Sequence, residues 1–178
     1  MHERSELECD SVECSPLGES DLFACGKYHL DDAGDRVGAI SLYKYAREGK
    51  SILEQSTVPR AGVLDCKWNK DGTKLATAEA DGRIGLFNLK ETALEFSADF
   101  QLPQEPITLA VDWNYEGNIL GSYSDGSVVI TEGVEELRVT NQFIAHEAAE
   151  VWAVACSKHS PNLFYTGIIC LTLRKVLT

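Results

Sequence analysis

Hydrolysis at neutral pH requires a base, a nucleophile or activated water, and donors aimed at developing negative charge. Few side chains in this sequence stand at spacings suited to that work. His146 lies in His146-Glu147-Ala148-Ala149-Glu150. That run is close to the H-E-x-x-H pattern, which places two imidazoles on one helix face around zinc. Glutamate fills the second histidine position and the segment leads into a strand, so no metal site is expected. His29 follows Tyr28 in a segment that reads as an inserted loop, and a base on a rim loop would sit in such a place. His29 and His146 are therefore the two candidates for catalytic work, and each also has a plain structural reading. His29 can be a solvated loop histidine. His146 can be a histidine that fixes a turn. Asp65 and Asp112 each come shortly before a tryptophan and read as solvated strand carboxylates. No G-x-S-x-G elbow, G-x-x-x-x-G-K or G-x-G-x-x-G is present, so α/β serine hydrolysis and nucleotide binding have no support and no cofactor is expected. The residues alone name no catalytic group.

The elements that must position these groups come from an internal repeat. Val63-Leu64-Asp65-Cys66-Lys67-Trp68-Asn69, Asp71 to Thr77 and Asp81 to Asn88 form one copy. Leu109 to Asn114, Glu116 to Ser122 and Asp125 to Ile130 form the next. Both read strand, turn, strand, Asp-Gly turn, strand, and Trp68 and Trp113 stand 45 residues apart, within the period of a propeller blade. Asp81-Gly82 and Asp125-Gly126 supply the positive φ of tight hairpins. Trp68 and Trp113 should fill the space between neighbouring blades, and Trp152 reads as their counterpart in a later copy.

Partial copies flank the pair. Asp10 to Pro16, Leu22 to Gly26 and Gly38 to Tyr43 read as a first blade, with Lys27 to Val37 as an acidic solvated insertion. His146, Val151 to Cys156 and Pro161 to Gly167 open a fourth. Residues 168–178 lack turn chemistry and read as a tail of different origin, such as a retained intron, an alternative exon or a gene-model error, with a genuine closing strand as the other reading. The expected fold is thus all-β, a WD-repeat β-propeller with blades near 10–45, 61–89, 107–131 and 146–167. Residues 1–167 hold about three and a half blades of a probable seven. A seven-bladed ring needs roughly 300 residues. In such a blade, His146 would bond a turn aspartate beyond Gly167, which this sequence lacks.

The wording of the blades resembles the diphthine methyl ester hydrolases, also called diphthine methyltransferases, WD-repeat proteins of diphthamide biosynthesis. The residues that carry the likeness are Asp10-Ser11-Val12-Glu13, Leu22 to Leu30, Arg36 to Tyr43, Leu64 to Trp68, Ala110 to Trp113, Ala145-His146-Glu147 and Pro161 to Gly167. Cys14-Ser15 and the missing Asp-Asp turn after Gly167 depart from the family pattern. The resemblance implies hydrolysis of the methyl ester on the modified histidine of translation elongation factor 2, with that factor as partner and the cytoplasm as compartment. With the later blades missing, an inactive form is expected. The other reading is a non-catalytic WD-repeat adaptor.

Composition narrows the partners. The 178 residues carry 28 acidic against 16 basic side chains, a net charge of −12. Phosphate backbones and anionic membrane surfaces would repel such a chain, so neither nucleic acid nor membrane is expected as a partner. The six cysteines include no C-x-x-C pair and read as free, buried thiols.

Overall fold

The computed structural model describes residues 7–18, 21–46, 48, 51–133, 136–160, 162–169 and 173–177. These residues form fifteen strands in four antiparallel sheets. The first sheet runs β1 (Glu8–Cys14), β2 (Leu22–Leu30), β3 (Arg36–Ala46), β4 (Ser51–Ala61). The second runs β5 (Val63–Trp68), β6 (Lys74–Glu79), β7 (Arg83–Lys90), β8 (Ala93–Gln101). The third runs β9 (Thr108–Trp113), β10 (Ile119–Tyr123), β11 (Ser127–Glu132), β12 (Arg138–Ile144). The fourth holds β13 (Ala153–Cys156), β14 (Leu163–Gly167) and β15 (Leu173–Leu177). Each sheet is a meander of consecutive strands joined by short turns, which is a propeller blade. The first strands β1, β5, β9 and β13 lie side by side as the innermost set.

The core is distributed over the seams between blades. Leu22, Ile40 and Leu42 of the first blade pack on Val63, Trp68, Leu75 and Phe87 of the second. Ile84 and Leu86 pack on Val111, Trp113, Ile119 and Val129 of the third. Leu120, Val128 and Ile130 pack on Val151, Cys156 and Phe164 of the fourth. Because a middle blade is covered on both faces, β9 and β10 are buried at every position. The outermost strand β12 is exposed at all but one.

The structure differs from the sequence expectation in several places. The fourth strands β4, β8 and β12 were not expected, since polar runs such as Arg138-Val139-Thr140-Asn141-Gln142 show little apolar alternation. The insertion at 27–37 is mostly sheet: β2 and β3 continue as a hairpin up to the Asp31–Asp35 turn. Asp31 closes that turn by accepting from the N–H groups of Ala33 and Asp35 at 2.9 and 2.8 Å. The blade pattern was expected to stop at Gly167, yet the backbone of Leu173–Leu177 pairs along β14 as a third strand. The free edge of β14 offers unpaired N–H and C=O groups that an extended segment can satisfy whatever its origin. Residues 170–172 and 178 of that tail, and Cys170, lie outside the described residues. Cys9 and Cys25 are joined by a disulfide between β1 and β2, against the expectation of free thiols. Cys66 and Cys156 are free and buried, and Cys14 is free and exposed.

One buried ion pair ties the first two blades together at the rim. Arg60 of β4 reaches Glu79 at the end of β6, its Nε 3.0 Å from each carboxylate oxygen. Thr77 donates to the same carboxylate at 2.8 Å, and Asp99 takes the other side of the guanidinium at 3.3 Å. Burial raises the Glu79 pKa, against the opposing pull of Arg60 and Thr77. Burial works against the charge on Arg60 too, but its bonds to Glu79 and Asp99 prevail and raise its pKa. Arg60→Met leaves a fully buried carboxylate without its cation, and is expected to cost about 3–5 kcal/mol. Arg60→Met with Glu79→Leu should recover most of that loss. Urea unfolding of the two variants checks the difference.

The glycines of the Asp125-Gly126 and Glu116-Gly117 turns adopt the positive φ that the sequence implies. Gly126 has φ +90°, and a Cβ there would collide with the carbonyl oxygen of His146. Gly117 has φ +86° with open space around it. Both alanine variants should therefore be destabilised by about 1–3 kcal/mol. Gly126→Ala should lose more, and equal urea midpoints would contradict the close approach.

Candidate functional site

An innermost strand has a paired neighbour on one side only, so alternate N–H groups face the seam without a ladder partner. Here the preceding blade supplies an acceptor each time, shared at Cys66 with Asp65 Oδ1 of its own strand at 2.9 Å. The N–H of Cys66 donates to Ser11 Oγ at 3.2 Å, that of Val111 to Asp65 Oδ2 at 3.1 Å, and that of Cys156 to Asp112 Oδ2 at 2.7 Å. Cys66, Val111 and Cys156 are spaced 45 residues apart, so the donor repeats at three seams while its acceptor is a serine at the first and an aspartate at the next two. Asp65 and Asp112 were expected to be solvated. They are seam clamps instead, and Asp65 also accepts from Ser11 Oγ and Lys67 Nζ, both at 3.1 Å. Burial works against the Lys67 ammonium, but the charges of Asp65 and Glu13 and the bond to Asp65 outweigh it, and its pKa is raised.

The tryptophans reinforce two of these seams. Trp68 Nε1 donates to the Glu13 carbonyl at 3.2 Å, and Trp113 Nε1 to the Lys67 carbonyl at 2.8 Å. Their rings are buried, at 7% and 6% exposure. Trp152 does not repeat this role. It precedes β13 and is 46% exposed, with Nε1 donating to Glu150 at 2.9 Å. The position 45 residues after Trp113 is Lys158, whose ammonium bonds Asp112 Oδ1 at 3.0 Å and the Trp113 carbonyl at 3.1 Å. Counting from the cysteines at 66 and 156 would have revealed that substitution.

His146 is 4% exposed and its Nε2 lies 2.9 Å from Thr166 Oγ1 on β14. Thr166 takes the place of the aspartate expected beyond Gly167, so the ring is partnered inside a seam and closed to substrate. His29 sits on β2 opposite Val37 rather than on a loop. Neither histidine lines either of the two cavities described below. Burial pushes the Cys66 thiol up to about 12 and raises Cys156 as well, so neither is a thiolate nucleophile.

The four innermost strands line one groove. It has a volume of about 380 Å³ and is walled by Leu64, Leu109, Ala110, Ala153 and Val154, with Asp10, Asp65 and Trp152 as its chemical groups. Asp10, at the bulge of β1, was missed by sequence reasoning because nothing in its spacing separates it from other surface carboxylates. Its pKa is raised, first by burial and then by the charges of Asp65 and Glu8, and it forms no hydrogen bond or ion pair among the described residues. Asp65 is committed to the seam, which leaves Asp10 as the available carboxylate. A second cavity, of about 260 Å³ between the third and fourth blades, is lined by Asn114, Asn118, Asn141 and Asn162 among others. Asn114 is occupied there in closing its own turn.

The seam clamp is directly testable. Asp112→Ala leaves the Cys156 N–H buried without an acceptor, at a cost of about 1–3 kcal/mol. Thiol labelling of Cys156 by a disulfide reagent should accelerate while Cys66 keeps its wild-type rate. Equal acceleration at both would mean global rather than seam-local loosening.

Residues 52–88 match the family model described as WD domain, G-beta repeat. The match starts within β4 of one blade and ends within β7 of the next, so the sequence repeat is out of phase with the sheets. A diphthine methyltransferase homolog from Dictyostelium discoideum is 24% identical over 194 residues. The alignment covers 89% of this chain and 51% of that relative, so the chain spans about half the relative's length. Consecutive meander sheets joined through their innermost strands, three of four strands and a last one of three among the described residues, together with the matched repeat, give this chain the fold of an incomplete WD-repeat β-propeller.

Proposed function

We propose that the chain is part of a diphthine methyl ester hydrolase, acting in the cytoplasm on the methyl ester that translation elongation factor 2 carries on its modified histidine. The observation that carries this reading is the likeness to the Dictyostelium diphthine methyltransferase homolog across 89% of the chain. The groove supplies a place for the reaction. Asp10 takes a proton from water as the water oxygen bonds to the ester carbonyl carbon. The proton then passes to the departing methoxide as the bond between the carbonyl carbon and the methoxy oxygen breaks, giving methanol and a free carboxylate. His29 and His146 have no part in this, since neither lines the groove.

A second reading has its own support. The groove holds one uncommitted carboxylate and no histidine or hydroxyl beside it, which suits a non-catalytic adaptor that binds the factor without cleaving it. Methanol release and binding should be measured with methylated and demethylated factor, using the Dictyostelium protein as reference. The expected result is preferential binding of the methylated factor, with methanol release slower than the reference and reduced about 100-fold or more by Asp10→Asn. Binding of the two forms with equal strength, and no methanol, overturns the hydrolase reading in favour of the adaptor.

A further inference from the structure

We propose that the cavity between the third and fourth blades binds a neutral, extended peptide segment of a partner protein, with one aliphatic side chain on its floor and the flanking peptide groups at its rim. Leu120 of β10, Ile130 of β11 and Phe164 of β14 form the floor, where the apolar seam between the two blades ends. Around them stand Asn118 from the turn after β9, Asn141 of β12 and Asn162 from the turn before β14. Asn114 spends its Oδ1 on the N–H groups of Glu116 and Asn118. The other three side-chain amides form no hydrogen bond among the described residues. Each therefore keeps its donors and its acceptor for a ligand. The sheet is adapted at the same place. Ile130 pairs with Asn141 and Thr131 with Val139, so Thr140 is the extra residue of a bulge, and its Oγ1 donates to the Ile130 carbonyl at 3.2 Å. Bulges beside a cleft re-aim neighbouring side chains, and Thr140 and Asn141 both line this one.

The lining selects the ligand. Its charged group is Glu116, with no cation beside it, so an anion finds no counter-charge there. A hard metal ion takes about six to eight oxygens, and here one carboxylate stands among amides, with the Asn114 oxygen already taken. A nucleobase needs an open aromatic face to stack on, whereas Phe164 is only 3% exposed. A peptide group carries one N–H and one C=O, and a primary amide answers both at once. The cavity holds about 260 Å³. Pockets for drug-sized ligands begin at roughly 300 Å³, so the space suits a single aliphatic side chain and the peptide groups beside it. The cavity is separate from the groove of the innermost strands, and binding there goes beyond the hydrolase reading.

The probe is acetyl-Ala-Leu-Ala-amide, titrated into the isotopically labelled full chain and read from the asparagine side-chain NH2 signals by NMR. Saturable shifts at Asn118, Asn141 and Asn162 are expected. Acetyl-Ala-Ala-Ala-amide should bind about tenfold or more weakly, because it leaves the apolar floor unfilled. Asn118→Ala and Asn141→Ala should each weaken binding about threefold or more. Asn141 is exposed on an outer strand, and thermal melting checks that each variant is folded. The shifts in the unmutated chain are a readout that needs no variant. No saturable shift at these amides, equal binding of the two tripeptides, unchanged binding in either asparagine variant, or equal saturation by methyl glucoside overturns the proposal. The assay contains neither elongation factor nor methanol, so its failure is separate from failure of the hydrolase reading.

Discussion

The bond from each preceding blade to the N–H of Cys66, Val111 or Cys156 is the constraint on which the architecture rests. The first strands of the third and fourth sheets would otherwise present the Val111 and Cys156 amides unpaired where water is largely excluded, a cost comparable to losing a hydrogen bond at each. Supplying the acceptor from a side chain of the neighbouring blade fixes spacing and rotation between sheets in one step. The apolar seams then close around that fixed geometry, with Trp68 and Trp113 filling the space and donating back to carbonyls. Because those acceptors stand on the same strands that line the groove, the groove walls are also the parts held most firmly.

The difference between Asp65 and Asp10 shows how the fold divides similar groups between structure and chemistry. Both line the groove. Asp65 accepts from Ser11, Lys67 and the backbone of two blades, and so belongs to the scaffold. Asp10 sits at a register shift in β1, where the bulge turns a side chain away from the regular alternation, and it retains an uncompensated charge. Bulges beside a cleft commonly re-aim one residue in this way.

Much of this was legible in the sequence, for reasons that also mark its limits. The Asp-Gly hairpins and the tryptophan spacing fixed blades two and three, because turn chemistry and burial on both faces leave strong local marks. Outer strands such as β12 leave none, since one side is solvent and tertiary pairing overrides a weak local preference. The roles of Asp65 and Asp112 were illegible for a different reason. A side chain that accepts from a backbone amide 44 or 46 residues away is set by packing between blades, which no local spacing encodes. Trp152 misled because its residue type matched the repeat while its position did not, and the 45-residue count placed Lys158 there instead.

That lysine gives one seam a different physical character. Between the first and second blades, and between the second and third, the stitch is an indole buried from solvent. Between the third and fourth it is an ammonium with most of its side chain in water, reaching back to Asp112. Mobile ions screen charges separated by more than about 10 Å at 0.1 M salt, so this 3.0 Å pair feels them only when salt is concentrated, and a buried indole hydrogen bond is left almost untouched. The seams therefore do not share one response to ionic strength: only the last carries a charge pair that concentrated salt can weaken, and even there the buried bond from the Cys156 N–H to Asp112 remains.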